Sequence, residues 1–349
     1  MPQHGQLLLE PESFLDRLLD DFRAEGRVLV VTHDNPDPDS LASAFGLKKL
    51  FETVLGRETV IGYGGMIGRA ENRALVTACH IPTVPLEDLD FGDFSTVALV
   101  DSQPETGNNS IPTDVAIHLV IDHHPLRPQT PAVSRWIDVR SDFGASATIV
   151  AKYLMARNVP VDAPLATALF YAIKSETQDL GAQANEVDRE VYLRLFPFVD
   201  SKALFDITHP KLSPEYFRIL GDLVRDARLY DRAAVTYIGP ISSPDFVAEM
   251  ADQLMRLEGV DWALCMGAHE TDFILSLRTN EHGGGAGQMI QRMVRGLGLA
   301  GGHGMMAGGR VRKVDADRDT RQKMVNVMRD RFLSELNLAA TQPRSILDT

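Results

Sequence analysis

The chain has 349 residues, of which 44% are hydrophobic and 24% are charged, so it is long enough for two globular domains. Its formal net charge of -13 argues against an extended interface with long duplex nucleic acid, where many phosphates must be neutralised. The two cysteines, Cys79 and Cys265, exclude a disulfide framework and a Cys-rich zinc site.

The sequence offers no sign of membrane insertion or export. Its apolar runs are all shorter than the roughly 18 residues that a membrane helix needs. The amino terminus lacks a basic region followed by an apolar segment, as a secretory signal would have. We therefore expect a cytoplasmic protein that does not contact membranes.

The first half of the chain alternates between strand-like and helix-like segments. In chain order the pattern predicts a helix capped by Ser13 and then a strand at 27–32. A helix follows from Asp39 or Ser40 to about Leu55, where Gly56 ends it. The next predicted elements are a strand at 59–63 and a helix at 70–79. Strands at 96–101 and 116–122 and helices near 144–157 and 162–175 follow. This alternation is typical of an α/β domain with a largely parallel sheet flanked by helices.

A smaller α/β domain is predicted in the second half. Prolines between Phe196 and Pro214 indicate a link, so we place the domains at 1–195 and 231–336. The linker, 196–230, contains a helix, and residues 337–349 are expected to form a loose tail. The second domain is expected to contain strands at 233–238, 261–268 and 272–279 and a helix at 244–257. A helix that starts at a glycine-rich segment, a second glycine-rich loop and a final helix near 317–336 complete it.

Acidic residues and histidines follow three of the predicted strands of the first domain. The segment from His33 to Asp39 follows the first strand, Asp101 closes another, and Asp122-His123-His124 follows a third. Ligands gather at the carboxyl ends of parallel strands, so these side chains are expected to share one site.

The mixture of carboxylates and imidazoles favours a pair of Mn²⁺ ions. Prolines at 36 and 38 stiffen the loop that carries Asp37 and Asp39. Oxygen ligands suit hard cations, and imidazole suits transition metals. Two ions about 3.5–4 Å apart can activate a water for attack on phosphorus, and Asp101 is the candidate bridging ligand.

In order and context these residues resemble the DHH phosphoesterase superfamily. The matching motifs are His33-x3-Asp37-x-Asp39-Ser40, Asp101-Ser102 and Asp122-His123-His124. That superfamily contains RecJ-like exonucleases, nanoRNase/pAp phosphatases, cyclic-di-AMP phosphodiesterases and manganese pyrophosphatases. The resemblance implies that one Mn²⁺ is held by His33, Asp37 and Asp101, and the other by Asp39, Asp101 and His123. It also implies that His124 faces the substrate phosphate and that Asp122 orients its neighbours. Mg²⁺ and Co²⁺ are possible substitutes.

The last metal-binding motif of the family is altered in this chain. Where relatives have an Asp after a helix, this sequence has Glu176, and Asp179 follows three residues later. Glutamate can ligate the same ion with a longer side chain, so Glu176 is the predicted ligand and Asp179 the alternative.

The second domain resembles the DHH-associated C-terminal domain, in which Ser-x-Arg precedes a glycine-rich loop with a histidine. Here Arg278 completes Ser276-Leu277-Arg278, and the loop contains Gly301, Gly302, His303 and Gly304, with Ala300 in place of the first glycine. The resemblance implies that these residues bind a nucleotide or terminal phosphate in a cleft between the domains, opposite the metals. The run Gly283-Gly284-Gly285 has no assigned counterpart.

The leading hypothesis is hydrolysis of small nucleotides, such as short oligoribonucleotides, pAp, or linear and cyclic dinucleotides, by two Mn²⁺ ions. The alternatives are a manganese pyrophosphatase, a catalytically altered nucleotide-binding protein, and an exonuclease for long substrates. The Gly-Gly-His-Gly loop argues against the first alternative, and the acidic charge argues against the third. The resemblance also makes a homodimer possible.

Overall fold

The computed structural model describes residues 11–23, 26–181, 184–281, 283–314 and 317–348, except for the side chains of residues 11, 12 and 303. The chain divides into two compact units, Met1–Pro210 and Lys211–Thr349. This division falls within the segment 196–230 that was predicted to link two domains. Within the described ranges, every helix is too short or too polar to cross a bilayer.

The first unit is built on a parallel sheet of six strands. These are β1 (Arg27–Val31), β2 (Thr59–Tyr63), β3 (Thr83–Pro85), β4 (Phe94–Val100), β5 (Ile117–Asp122) and β6 (Ser134–Val139). Their order in the sheet is β3-β2-β1-β4-β5-β6, and all neighbouring pairs are parallel. The chain proceeds from β1 toward one edge and from β4 toward the other, so a crevice is expected outside the carboxyl ends of these two strands.

Helices cover this sheet and supply most of its core. They are α1 (Pro11–Asp21), α2 (Pro38–Leu55), α3 (Ala70–Ala78), α4 (Thr130–Val133), α5 (Ser146–Ala156), α6 (Ala163–Glu176), α7 (Glu186–Leu195) and α8 (Ser201–Thr208). The buried core joins Leu41, Leu47 and Leu50 of α2 to Leu165 and Leu169 of α6 and to β1. Because α2 and α6 are packed together, the residues at their ends are held in fixed positions.

Three predicted helix boundaries differ in how well they agree with the structure. Gly56 ends α2 in a left-handed conformation with φ of 67°, as predicted. The cap of α2 is Asp37, whose side chain accepts a hydrogen bond from the backbone N–H of Ser40, rather than Asp39. The helix α1 begins at Pro11, so Ser13 lies inside its first turn and the predicted cap is wrong.

The second unit contains a mixed sheet of seven strands. These are β7 (Arg228–Tyr230), β8 (Ala233–Pro240), β9 (Trp262–His269), β10 (Asp272–Thr279), β11 (Leu299–His303), β12 (Met306–Val311) and β13 (Arg344–Ser345). Their order is β11-β12-β10-β9-β8-β7-β13; β8 and β9 are parallel, and the other pairs are antiparallel. The accompanying helices are α9 (Pro214–Asp226), α10 (Asp245–Leu254), α11 (Ala286–Met293) and α12 (Arg318–Glu335).

The helix α11 follows Gly285, as predicted, but the second glycine-rich segment differs from the prediction, because β11 and β12 form a hairpin where a loop was expected. The hairpin requires glycine for close approach. A Cβ on Gly302, whose φ is 145°, would lie 2.5 Å from the Cα of Ala307. A Cβ on Gly284, in the run of unassigned role, would lie 2.2 Å from the carbonyl oxygen of Gly304. The run 283–285 therefore packs against the turn of the hairpin.

The remaining differences are short or polar elements. The strands β3, β6 and β7 and the helices α4, α7 and α8 were not predicted. The residues after Leu336 do not form only a loose tail, since β13 pairs with β7. Pairing with a neighbouring strand, rather than a hydrophobic pattern of its own, defines a strand as short as β13.

Candidate metal centre

His33, Asp37 and Asp101 come together at the carboxyl ends of β1 and β4. His33 Nε2 lies 3.5 Å from Asp37 Oδ1 and 3.7 Å from Asp101 Oδ2. Asp101 has φ of 55°, an uncommon conformation for a residue other than glycine. Such backbone strain persists where the surrounding structure holds it, often at functional sites.

A second group of donor atoms surrounds His123, directly after β5. Its Nε2 atom lies 3.6 Å from Asp101 Oδ1, 3.8 Å from Glu176 Oε1 and 3.9 Å from Asp39 Oδ2. This nitrogen is buried and has no hydrogen-bond partner among the described residues. Asp101 thus has one carboxylate oxygen near each histidine and stands between the two groups.

The spacing of these atoms fits shared divalent cations better than direct hydrogen bonds. Distances of 3.5–3.9 Å are too long for hydrogen bonds. A cation with ligands at about 2.1–2.2 Å places neighbouring donor atoms roughly 3–3.6 Å apart. The observed separations are close to that range, and the mixed oxygen and imidazole donors suit a metal such as Mn²⁺. The clearest sign that the site suits a metal is Nε2 of His123, which has no hydrogen-bond partner among the described residues and could bind a cation.

The carboxylates of the centre repel one another strongly. Burial, together with the charges of Asp101 and Glu176, raises the pKa of Asp39 well above its usual value. Burial and the charges of Asp37 and Asp101 raise the pKa of Glu176 to about 8. Burial opposes the cationic form of His33, but the carboxylates of Asp37 and Asp101 outweigh it and raise the pKa of His33 to about 10. Bound cations would neutralise this negative charge.

The amino-terminal end of α5 donates hydrogen bonds to two carboxylates of the centre. The backbone N–H groups of Ser146 and Ala147 donate to the two carboxylate oxygens of Asp39 at 2.7 and 2.8 Å. The hydroxyl of Ser146 donates to Asp101 Oδ1 at 2.9 Å. The sequence reasoning missed Ser146. The signal available was a small polar residue at the predicted start of a helix, which by itself indicates only a cap.

His124 is held by Asp122 at the edge of the centre. Asp122 Oδ1 accepts hydrogen bonds from His124 Nδ1 at 2.8 Å and from the backbone N–H of His124 at 3.2 Å. Burial opposes the cationic ring, but Asp122 and Asp101 raise the pKa of His124 to about 9. This histidine is less buried than His123, and its Nδ1 lies 3.8 Å from Asp101 Oδ1.

The structure distinguishes between the two candidates for the last ligand. Glu176, at the end of α6, lies within the second group of donors. The side chain of Asp179 is 71% exposed and forms an ion pair with Lys174. The geometry therefore groups Glu176, and not Asp179, with the other predicted ligands.

In the second unit, Arg278 is oriented by neighbouring side chains. Its Nε donates to Asp252 Oδ1 at 2.6 Å, and one terminal nitrogen donates to the hydroxyl of Ser276 at 2.8 Å. Arg278 pairs in register with Met306, which also pairs with His303, so the backbone of β12 separates the two predicted phosphate-binding residues. Gly301 and Gly302 lie in β11, Gly304 lies in the turn, and the side chain of His303 is outside the described part of the chain.

Comparison with known proteins identifies a family for the first unit. Residues 27–173 match the family described as DHH family, N-terminal domain. An uncharacterized protein of Methanocaldococcus jannaschii is 31% identical over 304 residues, covering 85% of this chain and 61% of that protein. The A-adding tRNA nucleotidyltransferase of Geobacter sulfurreducens is 25% identical over 222 residues, covering 57% of this chain and 23% of that enzyme. The chain thus spans less than two thirds of both curated relatives.

A solved structure shares the fold over nearly the whole chain. The crystal structure of an exopolyphosphatase-related protein from Bacteroides fragilis superposes with a TM-score of 0.71 and 12% identity. The match covers 94% of this chain and 98% of that chain. At this level of identity the similarity establishes the fold, with its parallel sheet and second sheet-containing unit.

Proposed function

Since residues 27–173 match the DHH family, N-terminal domain, we propose that the chain is a phosphoesterase of this superfamily that depends on Mn²⁺ and hydrolyses small nucleotides. Its substrates would be short oligoribonucleotides, pAp, or linear and cyclic dinucleotides. The observation that carries the proposal is the pair of donor groups around His33 and His123, which share Asp101. Each group combines one imidazole with at least two carboxylates, a set that suits a divalent transition metal.

The residues of the centre divide into two ligand sets. His33, Asp37 and Asp101 would hold one cation, and Asp39, Asp101, His123 and Glu176 would hold the other. When bound, such a pair lowers the pKa of a water molecule and stabilises negative charge on phosphoryl oxygens. Ser146 would keep Asp101 in its bridging orientation through their hydrogen bond.

His124 would act on the substrate and not on the metals. Its Nδ1 atom donates to Asp122, and its Nε2 atom would be the one directed at a phosphoryl oxygen. Without metals, Asp122 and Asp101 outweigh burial and raise the pKa of His124 to about 9, and a protonated ring can donate a charge-assisted hydrogen bond. Such a donor favours the transition state, in which phosphoryl charge increases.

Arg278 would bind a second phosphate of the substrate. Asp252 and Ser276 hold its guanidinium group by hydrogen bonds, which reduces the entropy lost when an anion binds. Gly301, Gly302, His303 and Gly304 would contribute backbone and imidazole donors.

A substrate panel tests the proposal. Purified protein would be assayed with pAp, a ladder of RNA from two to about twenty nucleotides, linear and cyclic dinucleotides, pyrophosphate and polyphosphate, each with Mn²⁺ and with EDTA. Metal-dependent cleavage of the small nucleotides, fastest for the shortest RNAs, is expected. If only pyrophosphate or polyphosphate is hydrolysed, the proposed nucleotide substrates are wrong. If nucleotides bind tightly but are not hydrolysed with any divalent ion, the proposal that the protein is an enzyme is contradicted.

A further inference from the structure

We propose that Gln103 is a positioning residue that fixes the imidazole of His124 through the carboxylate of Asp122. The inference rests on the proposed function, in which His124 contacts the substrate phosphate. Gln103 lies two residues beyond Asp101, in a segment to which the sequence motifs assign no role. It does not belong to either ligand set of the metal centre.

Gln103 is 1% exposed, and both ends of its amide are fully engaged. Its Nε2 donates to Asp122 Oδ2 at 2.7 Å and to the carbonyl oxygen of Pro125 at 3.1 Å. Its Oε1 accepts from the backbone N–H of Arg127 and from the hydroxyl of Thr130, both at 2.8 Å. Two acceptors face the nitrogen and two donors face the oxygen, so only one orientation of the amide satisfies them all.

This amide determines how Asp122 is presented to His124. Asp122 uses Oδ2 for Gln103 and Oδ1 for both the ring and the backbone N–H of His124. Rotation of the Asp122 carboxylate would break its hydrogen bonds to Gln103 and to His124. Leaving a buried carboxylate without a hydrogen-bond partner costs free energy. Gln103 and Asp122 together therefore keep Nδ1 of His124 as the hydrogen-bond donor and Nε2 as the atom directed away from Asp122.

A purely architectural role is the competing explanation, because the Oε1 contacts tie the segment 125–130 to the end of β4. The structural contacts involve Oε1 and also Nε2, through Pro125, whereas the positioning role uses only the bond from Nε2 to Asp122, and the two roles have different consequences. Loss of a structural tie lowers stability without a specific effect on chemistry. Loss of the bond to Asp122 changes the orientation of the His124 ring and weakens the hydrogen bond that its Nδ1 donates, and we expect this to reduce kcat because His124 acts when phosphoryl charge develops.

Steady-state kinetics of Gln103→Leu provides the first test. We expect kcat to fall at least 10-fold while KM and Mn²⁺ affinity change less than twofold. Gln103→Met, which keeps the length and flexibility of the side chain, serves if the Leu variant does not fold. The matched control is Thr167→Val, which removes a buried hydroxyl of α6 that bonds to the backbone of Ala163 and Asp200, far along the helix from Glu176. It should lower the Tm but preserve kcat.

A double-mutant cycle with His124→Asn tests the route of the effect. If Gln103 acts through His124, adding Gln103→Leu to His124→Asn should reduce kcat less than twofold further. A full 10-fold further loss, or a Gln103→Leu variant with reduced Tm and wild-type kcat, would overturn the inference.

Nuclear magnetic resonance keeps this question separate from the proposed function. The ¹⁵N shifts of the His124 ring, assigned with His124→Asn, should show a protonated Nδ1 in the wild type and an altered pattern in Gln103→Leu but not in Thr167→Val. If the wild type hydrolyses nothing in the panel, the proposed function fails, and these shifts still decide whether Gln103 controls the ring. Identical ring shifts in all three proteins would refute the positioning role.

Discussion

Glu176→Gln is expected to change the stability of the protein in opposite directions with and without metal. Burial and the charges of Asp37 and Asp101 raise the pKa of Glu176 from its usual 4.5 to about 8. A carboxyl group with a raised pKa does not destabilise the fold below about pH 4.5, where it is protonated in both states. Its destabilising effect grows as the pH rises and is complete above about pH 8.

The size of the effect follows from the same values. At about 1.36 kcal/mol per pH unit, a pKa raised from 4.5 to about 8 corresponds to at most about 5 kcal/mol above pH 8. Glutamine has no charge to bury, so metal-depleted Glu176→Gln should be more stable than metal-depleted wild type at pH 8, by about 2–5 kcal/mol. At pH 4.5 the two should be nearly equal.

Bound metal should reverse this order. A ligand that binds only the folded state stabilises it by RT ln(1 + [L]/Kd), about 2.7 kcal/mol at 100 times Kd. Mn²⁺ should therefore raise the free energy of unfolding more in wild type, which has the complete ligand set, than in Glu176→Gln, which lacks one charged ligand of the second group.

Urea unfolding at pH 4.5 and pH 8, each with EDTA, and at pH 8 with saturating Mn²⁺, measures these differences. The matched control is Asp179→Asn, which changes an exposed carboxylate three residues away and should shift neither the pH dependence nor the response to Mn²⁺. If Glu176→Gln is destabilising at pH 8 in EDTA, or if Asp179→Asn shows the crossover instead, the reasoning about the last ligand is refuted.

Three further predictions concern other parts of the molecule. Ser146→Ala removes the hydroxyl donor to Asp101 but keeps the backbone donor to Asp39, so Mn²⁺ affinity by calorimetry should fall about 10-fold; unchanged affinity would show that this hydroxyl is dispensable. Arg278→Gln should raise KM about 10-fold or more with little change in kcat, because a charged hydrogen bond to substrate is lost; an equal KM would remove Arg278 from the binding site. Gly302→Ala should lower the stability of the second unit by about 1–3 kcal/mol in chemical denaturation, given its φ of 145° and the nearby Ala307, and wild-type stability would contradict the close packing of the hairpin.

The sequence predicted the strands of the first unit that carry the metal centre, because long apolar runs are a local signal. Continuous apolar runs mark buried parallel strands, and polar residues at their ends mark the crevice, so His33, Asp101 and His123 could be grouped before any coordinates were known. Glu176 required the family resemblance, because a glutamate at the end of a helix has no distinctive pattern.

Other features depend on contacts between distant segments. Ser146 reaches Asp101 across 45 residues, and Gln103 reaches Asp122 across 19, and neither bond leaves a periodic signal in the sequence. The hairpin of β11 and β12 was interpreted as loops because glycine is usually a turn residue, whereas here Gly302 permits two backbones to approach closely. Tertiary packing decided these cases against local propensity.

Anomalous diffraction from crystals grown with Mn²⁺ tests the central claim most directly. We predict two manganese peaks in each chain, one contacted by His33, Asp37 and Asp101, and the other by Asp39, Asp101, His123 and Glu176. Asp101 should contact both ions, and Asp101→Asn should lose at least one peak. A single peak, or two peaks without a shared Asp101, would contradict the two-cation centre.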